Sequence, residues 1–353
     1  MDFALSEMEQ SVRDLAKEVA RNAIDDERSK ELMASQDWFD QTCWQALADT
    51  ELLGLGLSER AGGTEQGLLS VCLLLQQLGR RAPTVPAVES LSAALVLDAF
   101  GRDEDRAALK AYGQGEWLIN CALHEDQSVD LAQPLLRLDG GLFGEKSAAP
   151  QTDRLLISAR DETGPCLVFV DPAAAVAGVQ WGTDGQPRQK LQFQGQPAHR
   201  IGGPEVLRYL IDRLHLLSSA YMLGLAEGAL FMTARYVSER QQFGVPLGSF
   251  QAVGQRAADG FIDCQAMELA LLEAAWRMET GRDHDQALAA ARYFACEGGH
   301  RVVASAQHLH GGMGFDRDYP LYRHFLQMKW YEFSLGGARS SLARLGDLRL
   351  EEA

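Results

Sequence analysis

The sequence lacks most of the signals by which a function is usually announced. Its six cysteines, Cys43, Cys72, Cys121, Cys166, Cys264 and Cys296, include no C-x-x-C pair and lie in apolar or helical surroundings. Reduced, buried thiols are therefore expected rather than disulfides or a metal site. Basic residues are scarce: 33 Lys and Arg stand against 49 Asp and Glu, for a formal charge of -16. That balance leaves no general phosphate-binding face and excludes nucleic acid as a partner. Apolar runs such as Leu68–Leu75 fall well short of the ~20 residues of a membrane-spanning helix. The opening MDFALSEMEQ has neither the basic start nor the apolar stretch of a secretory signal, so a cytoplasmic protein without a membrane span is expected.

The common catalytic motifs are missing too. Gly54-Leu55-Gly56 carries Glu59 where a dinucleotide fingerprint needs its third glycine, and it follows a helical stretch rather than a strand. There is no G-x-x-x-x-G-K, no G-x-S-x-G and no H-E-x-x-H, so nucleotide, serine-hydrolase and zinc chemistry lose their usual handles. Any catalysis must borrow from a cofactor.

What remains is a folded chain of 353 residues, 46% hydrophobic and 23% charged, with three textures along it. Ser6 and Glu9 have the spacing of a capping box, and Val12, Leu15, Ala16, Val19 and Ala20 recur at helical spacing. Trp38–Leu53 and Leu68–Leu78 continue the helical habit, which gives an all-helical region over 1–115. Most of the 11 prolines then fall between Pro134 and Pro204, where helices do not tolerate them. Leu135–Leu138 and Leu142–Phe143 flank Asp139-Gly140-Gly141, a hairpin signal. Leu155–Ser158, Cys166–Val170 and Gln189–Gln194 read as further strands, which makes 116–202 a small β region. Long helices return over 203–353: Val206–Arg240, Gln251–Thr280, His284–His308 and a last one beginning near Leu321. Helices, strands and then long antiparallel helices predict an α+β fold that ends in a four-helix bundle.

Two stretches stand out. In the first, Arg240-Gln241-Gln242-Phe243-Gly244 is followed by Phe250-Gln251, so an arginine and an amide flank a helix-to-helix turn, a geometry suited to a pyrophosphate. The same residues also read as an exposed arginine beside an ordinary glycine cap. In the second, His310-Gly311-Gly312-Met313-Gly314-Phe315, three glycines after a helix let backbone amides approach a ligand or simply make a flexible turn.

In this order, these stretches resemble the acyl-CoA dehydrogenase family, and the resemblance covers nearly the whole chain. It extends to LLGLGLSERAGG, LLLQQLGRRAPTVP, the GEW of Gly115–Trp117, YVSERQQFGVPLGSFQAV and HLHGGMGFDRDYPLYRHF. The resemblance implies a helical domain, a β domain and a four-helix C-terminal domain. It also implies that Arg240, Phe243, Gln251, Gly311, Gly312 and Gly314 hold the adenosine-diphosphate end of an FAD belonging to a neighbouring subunit. The implied reaction is α,β-dehydrogenation of an acyl-CoA thioester. A carboxylate takes the α-proton, a hydride passes to the flavin, and the electrons go on to an electron-transferring flavoprotein.

The family's two positions for that carboxylate fall here on Leu335 and Leu214. Asp212 is kept, and His215 stands where many relatives carry an arginine. Glu332, three residues before Leu335, is either a displaced base or a solvent-facing glutamate. Where relatives carry T-E-P and a G-S-D stretch lining the flavin ring and substrate, this chain has Leu123-His124-Glu125-Asp126-Gln127-Ser128-Val129-Asp130, and the segment from Phe143 to Asp153 lacks a W-I-T-N-like stretch. The resemblance therefore implies the non-catalytic subunit of a heterotetrameric (α2β2) acyl-CoA dehydrogenase, with a related catalytic subunit as partner and a steroid side-chain acyl-CoA as substrate. The alternatives are a self-sufficient homomeric enzyme using Glu332 or the Glu125-Asp126 loop as base, and a flavin-free structural relative.

Overall fold

The computed structural model describes residues 3–35 and 38–351. Helices α1 (Glu7–Ala23), α2 (Asp26–Ala34), α3 (Gln41–Asp49), α4 (Gly67–Gly79), α5 (Ala87–Phe100) and α6 (Asp103–Gly113) open the chain. Strands follow: β1 (Ile119–Ala122), β2 (Arg137–Leu138), β3 (Leu142–Ala149), β4 (Arg154–Asp161), β5 (Gly164–Val170), β6 (Val176–Trp181), β7 (Pro187–Gln196) and β8 (His199–Gly202). The chain closes with α7 (Pro204–Glu239), the short strands β9 (Gln241–Gln242) and β10 (Val245–Pro246), α8 (Gln251–Glu279), α9 (Asp285–His310), α10 (Leu321–Ser334) and α11 (Gly337–Glu351). The expected succession of helices, β region and helices holds.

The capping box forms as read: Glu9 N–H donates to Ser6 Oγ, and Ser6 N–H donates to the Glu9 carboxylate. Val12, Ala16, Val19 and Ala20 are buried along α1, but Leu15 lies beyond the edge of that stripe and is exposed. The last predicted helix is in fact two, α10 and α11. Gly336 and Gly337 take successive positive φ values of 97° and 69°, a backbone no helix continues through. Strands β1, β6 and β8 went unread because they are short or lack alternation; β1 is buried along its whole length.

The chain divides into two compact units. One comprises residues 32–67 and 84–215. Its sheet runs β6-β7-β3-β2-β4-β5-β8, with β1 pairing in parallel to β4. Leu136, Leu142, Leu155, Ile157, Val168 and Phe193 belong to the sheet's core. Ser90 on α5 donates to Ile119 O at 2.7 Å, which fixes β1 against that helix.

The other unit comprises residues 1–31, 68–83 and 216–353. In it α4 is buried from Ser70 to Gly79, the mark of a core helix. Its backbone touches α7, because a Cβ at Gly79 would meet Tyr221 O at 2.2 Å and one at Gly224 would meet Gln76 O at 2.0 Å. Arg292, fully buried on α9, donates to Ser218 Oγ at 3.2 Å and to Tyr331 O, and so caps the C-terminal turn of α10. Helix α7 is long and apolar enough to cross a membrane by length and composition, but 78% of that apolar window is buried inside the fold, as in a core helix. All six cysteines are buried and free.

Candidate functional site

The first distinctive stretch folds as a miniature hairpin. Gln241 and Gln242 pair with Pro246 and Val245, and Phe243 and Gly244 form its tip at φ of 56° and 82°. Two successive positive φ values define the tight turn that suits the strand twist, and glycine supplies the second without strain. Phe243 does not. It is 92% exposed, holds a left-handed backbone that aromatic residues avoid, and touches Phe250 edge to face with ring centres 6.2 Å apart. Arg240, at the base of the hairpin, is exposed, and its guanidinium has no side-chain partner among the described residues. Gln251 is likewise exposed at the first turn of α8.

The second stretch is brought to the first. Tyr236, one helical turn before Arg240, stacks on His310, the residue before Gly311, with ring centres 4.3 Å apart. Nδ1–H of His310 donates to Ala306 O at 2.8 Å, and Nε2 accepts from the Tyr319 hydroxyl at 3.2 Å. Burial holds this ring neutral by pushing its pKa down. Gly311 turns at φ 58°, and nothing lies within 4 Å of where its Cβ or that of Gly312 would be, so both present bare backbone outward. Gly314 does something else. A Cβ there would meet Gln307 O at 2.8 Å, and its carbonyl accepts from Gln307 Nε2 at 3.3 Å, so it lets the turn fold back on α9. Phe315 follows, 72% exposed. Beside these turns a groove of about 910 Å³ runs between α8 and α9, lined among others by Arg256, Asp259, Asp263, His300, Arg301 and His308. Sequence reasoning missed this groove, since its walls come from two helices and carry no motif.

The residues present fit a dinucleotide. A guanidinium without a side-chain partner among the described residues, two outward glycines and a strained, solvent-exposed phenylalanine belong to the two turns joined by the Tyr236–His310 stack, and each is costly or idle in the absence of a ligand.

The two positions at which the resemblance places a base hold leucines. Leu335 is half-buried directly after α10, and Leu214 is buried within α7. Glu332 is not the solvent-facing residue that one reading gave: its side chain is 13% exposed, accepts from Lys329 Nζ at 2.6 Å and lies 3.3 Å from His300 Nδ1. Asp212 is held by Arg208 at 3.4 Å.

In the middle of the β region, Glu125 is wholly engaged. Its carboxylate accepts from Lys146 Nζ at 2.6 Å, Leu135 N–H at 2.7 Å and Leu136 N–H at 3.1 Å. Lys146, fully buried, also donates to Ser158 Oγ at 2.8 Å. Burial pushes the Lys146 pKa down to about 8 against the pull of Glu125. His124 is pushed down to about 4 by burial and by the nearby Lys146 and Arg188 cations. Ala148, at φ 50°, donates its N–H to Gln180 Oε1 at 2.9 Å, and Arg188 pairs with Asp184 at 2.8 Å, both buried. This loop closes on its own polar groups.

Comparison with known proteins agrees with these features. Residues 6–113 match the acyl-CoA dehydrogenase N-terminal domain and 202–344 the acyl-CoA dehydrogenase C-terminal domain. The chain is 34% identical to the acyl-CoA dehydrogenase FadE27 of Mycobacterium tuberculosis over 98% of both proteins. A solved variant of the Tcur3481-Tcur3483 steroid acyl-CoA dehydrogenase has a chain 37% identical, with a TM-score of 0.92 over 98% of each. A chain of the ChsE4-ChsE5 complex from Mycobacterium tuberculosis is 33% identical, with a TM-score of 0.92 over the whole of both. With its helical, β and helical regions all accounted for, the chain belongs to the acyl-CoA dehydrogenases, FAD-dependent oxidoreductases, and is similar throughout to chains of their steroid-type members.

Proposed function

We propose that this chain is the non-catalytic subunit of a heterotetrameric (α2β2) acyl-CoA dehydrogenase that acts on a steroid side-chain acyl-CoA. The observation that carries this reading is the paired state of Glu332. Leucine occupies both positions where the family places its base, and Glu332, three residues before one of them, is already engaged by Lys329 and lies 3.3 Å from His300 Nδ1. A carboxylate bonded to Lys329 and set against His300 is turned towards its own neighbours, and it is displaced by ~4.5–6 Å from the family's position.

In this reading Arg240 pairs with the pyrophosphate, the backbone at Gly311 and Gly312 lies against it, and Phe243 and Gln251 flank the adenosine end of an FAD whose ring lies in the partner. FAD, when bound, supplies the hydride acceptor. The α-proton leaves to a carboxylate of the partner, and electrons pass on to an electron-transferring flavoprotein. Large apolar side chains exposed on the helical region, among them Phe231, Phe261, Ile262, Leu269 and Phe333, supply a surface for association. The names of the steroid-type relatives support both the substrate class and the pairing of unlike chains.

Expression with and without a co-encoded catalytic relative tests the reading. One FAD for each pair of unlike chains, with none on this chain alone, is the expected result. One tightly held FAD per chain in the isolated protein would overturn it.

A further inference from the structure

The glycine turn is held at its base and again from a distant part of the sequence. His310 and Tyr319 staple the base of the loop Gly311–Asp318 through Nε2···Oη at 3.2 Å. Within the loop, Asp316 N–H donates to Met313 O at 3.3 Å, Tyr319 N–H to Asp316 O at 3.2 Å, and Asp318 N–H to the Asp316 carboxylate at 2.9 Å. These bonds make residues 311–319 one stiff piece. Two residues reach α2: Asp318, within that piece, pairs with Lys30, and Arg323, in the first turn of α10 that follows it, bonds through its buried guanidinium both Asp26 O, at 3.1 Å, and the Asp26 carboxylate. Helix α2 is itself anchored, because Arg81, in the turn after α4, lies 3.8 Å from the Asp26 carboxylate and donates to Ile24 O, just before α2, at 3.1 Å.

A staple at one point leaves a loop free to swivel about that point. Two ion pairs on a second helix remove the swivel. We propose that Asp26 and Lys30 on α2 are positioning residues for the glycine turn, setting its place for the cofactor through Arg323 and Asp318. This rests on the reading of Arg240 and the glycine turn as the grip on an FAD. Neither residue touches the ligand, so their effect must appear as flavin affinity and not as turnover per bound flavin. Nothing in the sequence marks the pairs, which join residues as far apart as Asp26 and Arg323.

The test uses the complex of this chain with its catalytic partner. Flavin affinity is measured by fluorescence titration and turnover per bound flavin by an acyl-CoA assay. Amide hydrogen exchange of residues 311–320 is followed in the same samples. Lys30→Met, which breaks only the exposed arm, should weaken flavin affinity about two-fold, and Asp26→Ala about five-fold. Both should speed exchange in the turn and leave turnover per bound flavin unchanged, and Asp26→Glu should restore much of the affinity. Unchanged affinity in both variants, with Arg240→Ala losing flavin as it should, overturns the clamp alone. Flavin affinity unchanged in Arg240→Ala as well overturns the grip and the clamp with it. A fall in turnover per bound flavin equal to the fall in affinity would give these residues a different role and also defeat the proposal.

Discussion

Two regions treat their polar groups in opposite ways. Around Arg240, Phe243 and Gly311 the chain leaves a guanidinium without a side-chain partner among the described residues, bare backbone outward and an aromatic side chain strained and exposed. Around Glu125, Lys146 and Arg188 every charge named is buried against a partner, and the loop that in relatives lines the flavin ring is tied shut by its own side chains. A region open to a ligand keeps hydrogen-bonding capacity in reserve. One that spends all of it internally is structural. The difference shows that a retained motif residue is not always a retained function: Glu125 survives as a brace for Leu135 and Leu136.

Breaking the brace should have the largest effect. Lys146→Met leaves the buried Glu125 carboxylate without its cation and should cost about 3–5 kcal/mol of stability, read by denaturant unfolding of the complex. Flavin content per folded complex should not change. A selective loss of flavin would place this region in the cofactor site and erase the contrast.

Acid should reach the closed parts next. His324 is buried, and burial pushes its pKa down to about 4 against the opposing pull of its bond to Arg80 O at 3.1 Å. The unfolded chain takes up this proton near pH 6.5 and the folded one only near 4. Stability is therefore intact above about pH 6.5, falls as pH drops through that window and levels off below it, by about 3 kcal/mol for this residue. His124 acts in the same direction. A pH titration of the unfolding midpoint, repeated on His324→Gln, checks the slope; an unchanged slope in the variant would assign the acid sensitivity elsewhere.

On the open side, Arg240→Ala should remove a charge-assisted contact of ~1.5–3 kcal/mol and weaken flavin retention roughly ten- to a hundred-fold with the fold intact. Equal flavin content in variant and native complexes would return Arg240 to an ordinary exposed arginine. Phe243→Asn should relieve the left-handed backbone and raise thermal stability by about 1 kcal/mol while lowering flavin affinity. A gain in both would mean the strain serves nothing.

The smallest effect sharpens the comparison most. Glu332→Gln should leave stopped-flow flavin reduction in the complex essentially unchanged, and Leu335→Glu should create no second working site. A large fall in the first would make this chain catalytic.

The order of helices, strands and long helices was legible because periodicity, prolines and glycines are local signals. The capping box at Ser6 and the hairpin at Asp139-Gly140-Gly141 formed as read, since each is decided by neighbours within a few residues. The leucines at 335 and 214 were also legible, being a matter of which residue stands where. What a surviving residue does was not. Glu125 and Glu332 look alike as letters, and only the fold gives one to Lys146 and two backbone amides and the other to Lys329 and His300. Gly311 and Gly314 look alike too, yet one faces open space and the other the carbonyl of Gln307. The sequence by itself determined the element order and the family resemblance, and put leucine at positions 214 and 335. The tertiary structure alone decided which charges are spent and which are free, because ion pairs and burial join residues that no sequence spacing relates.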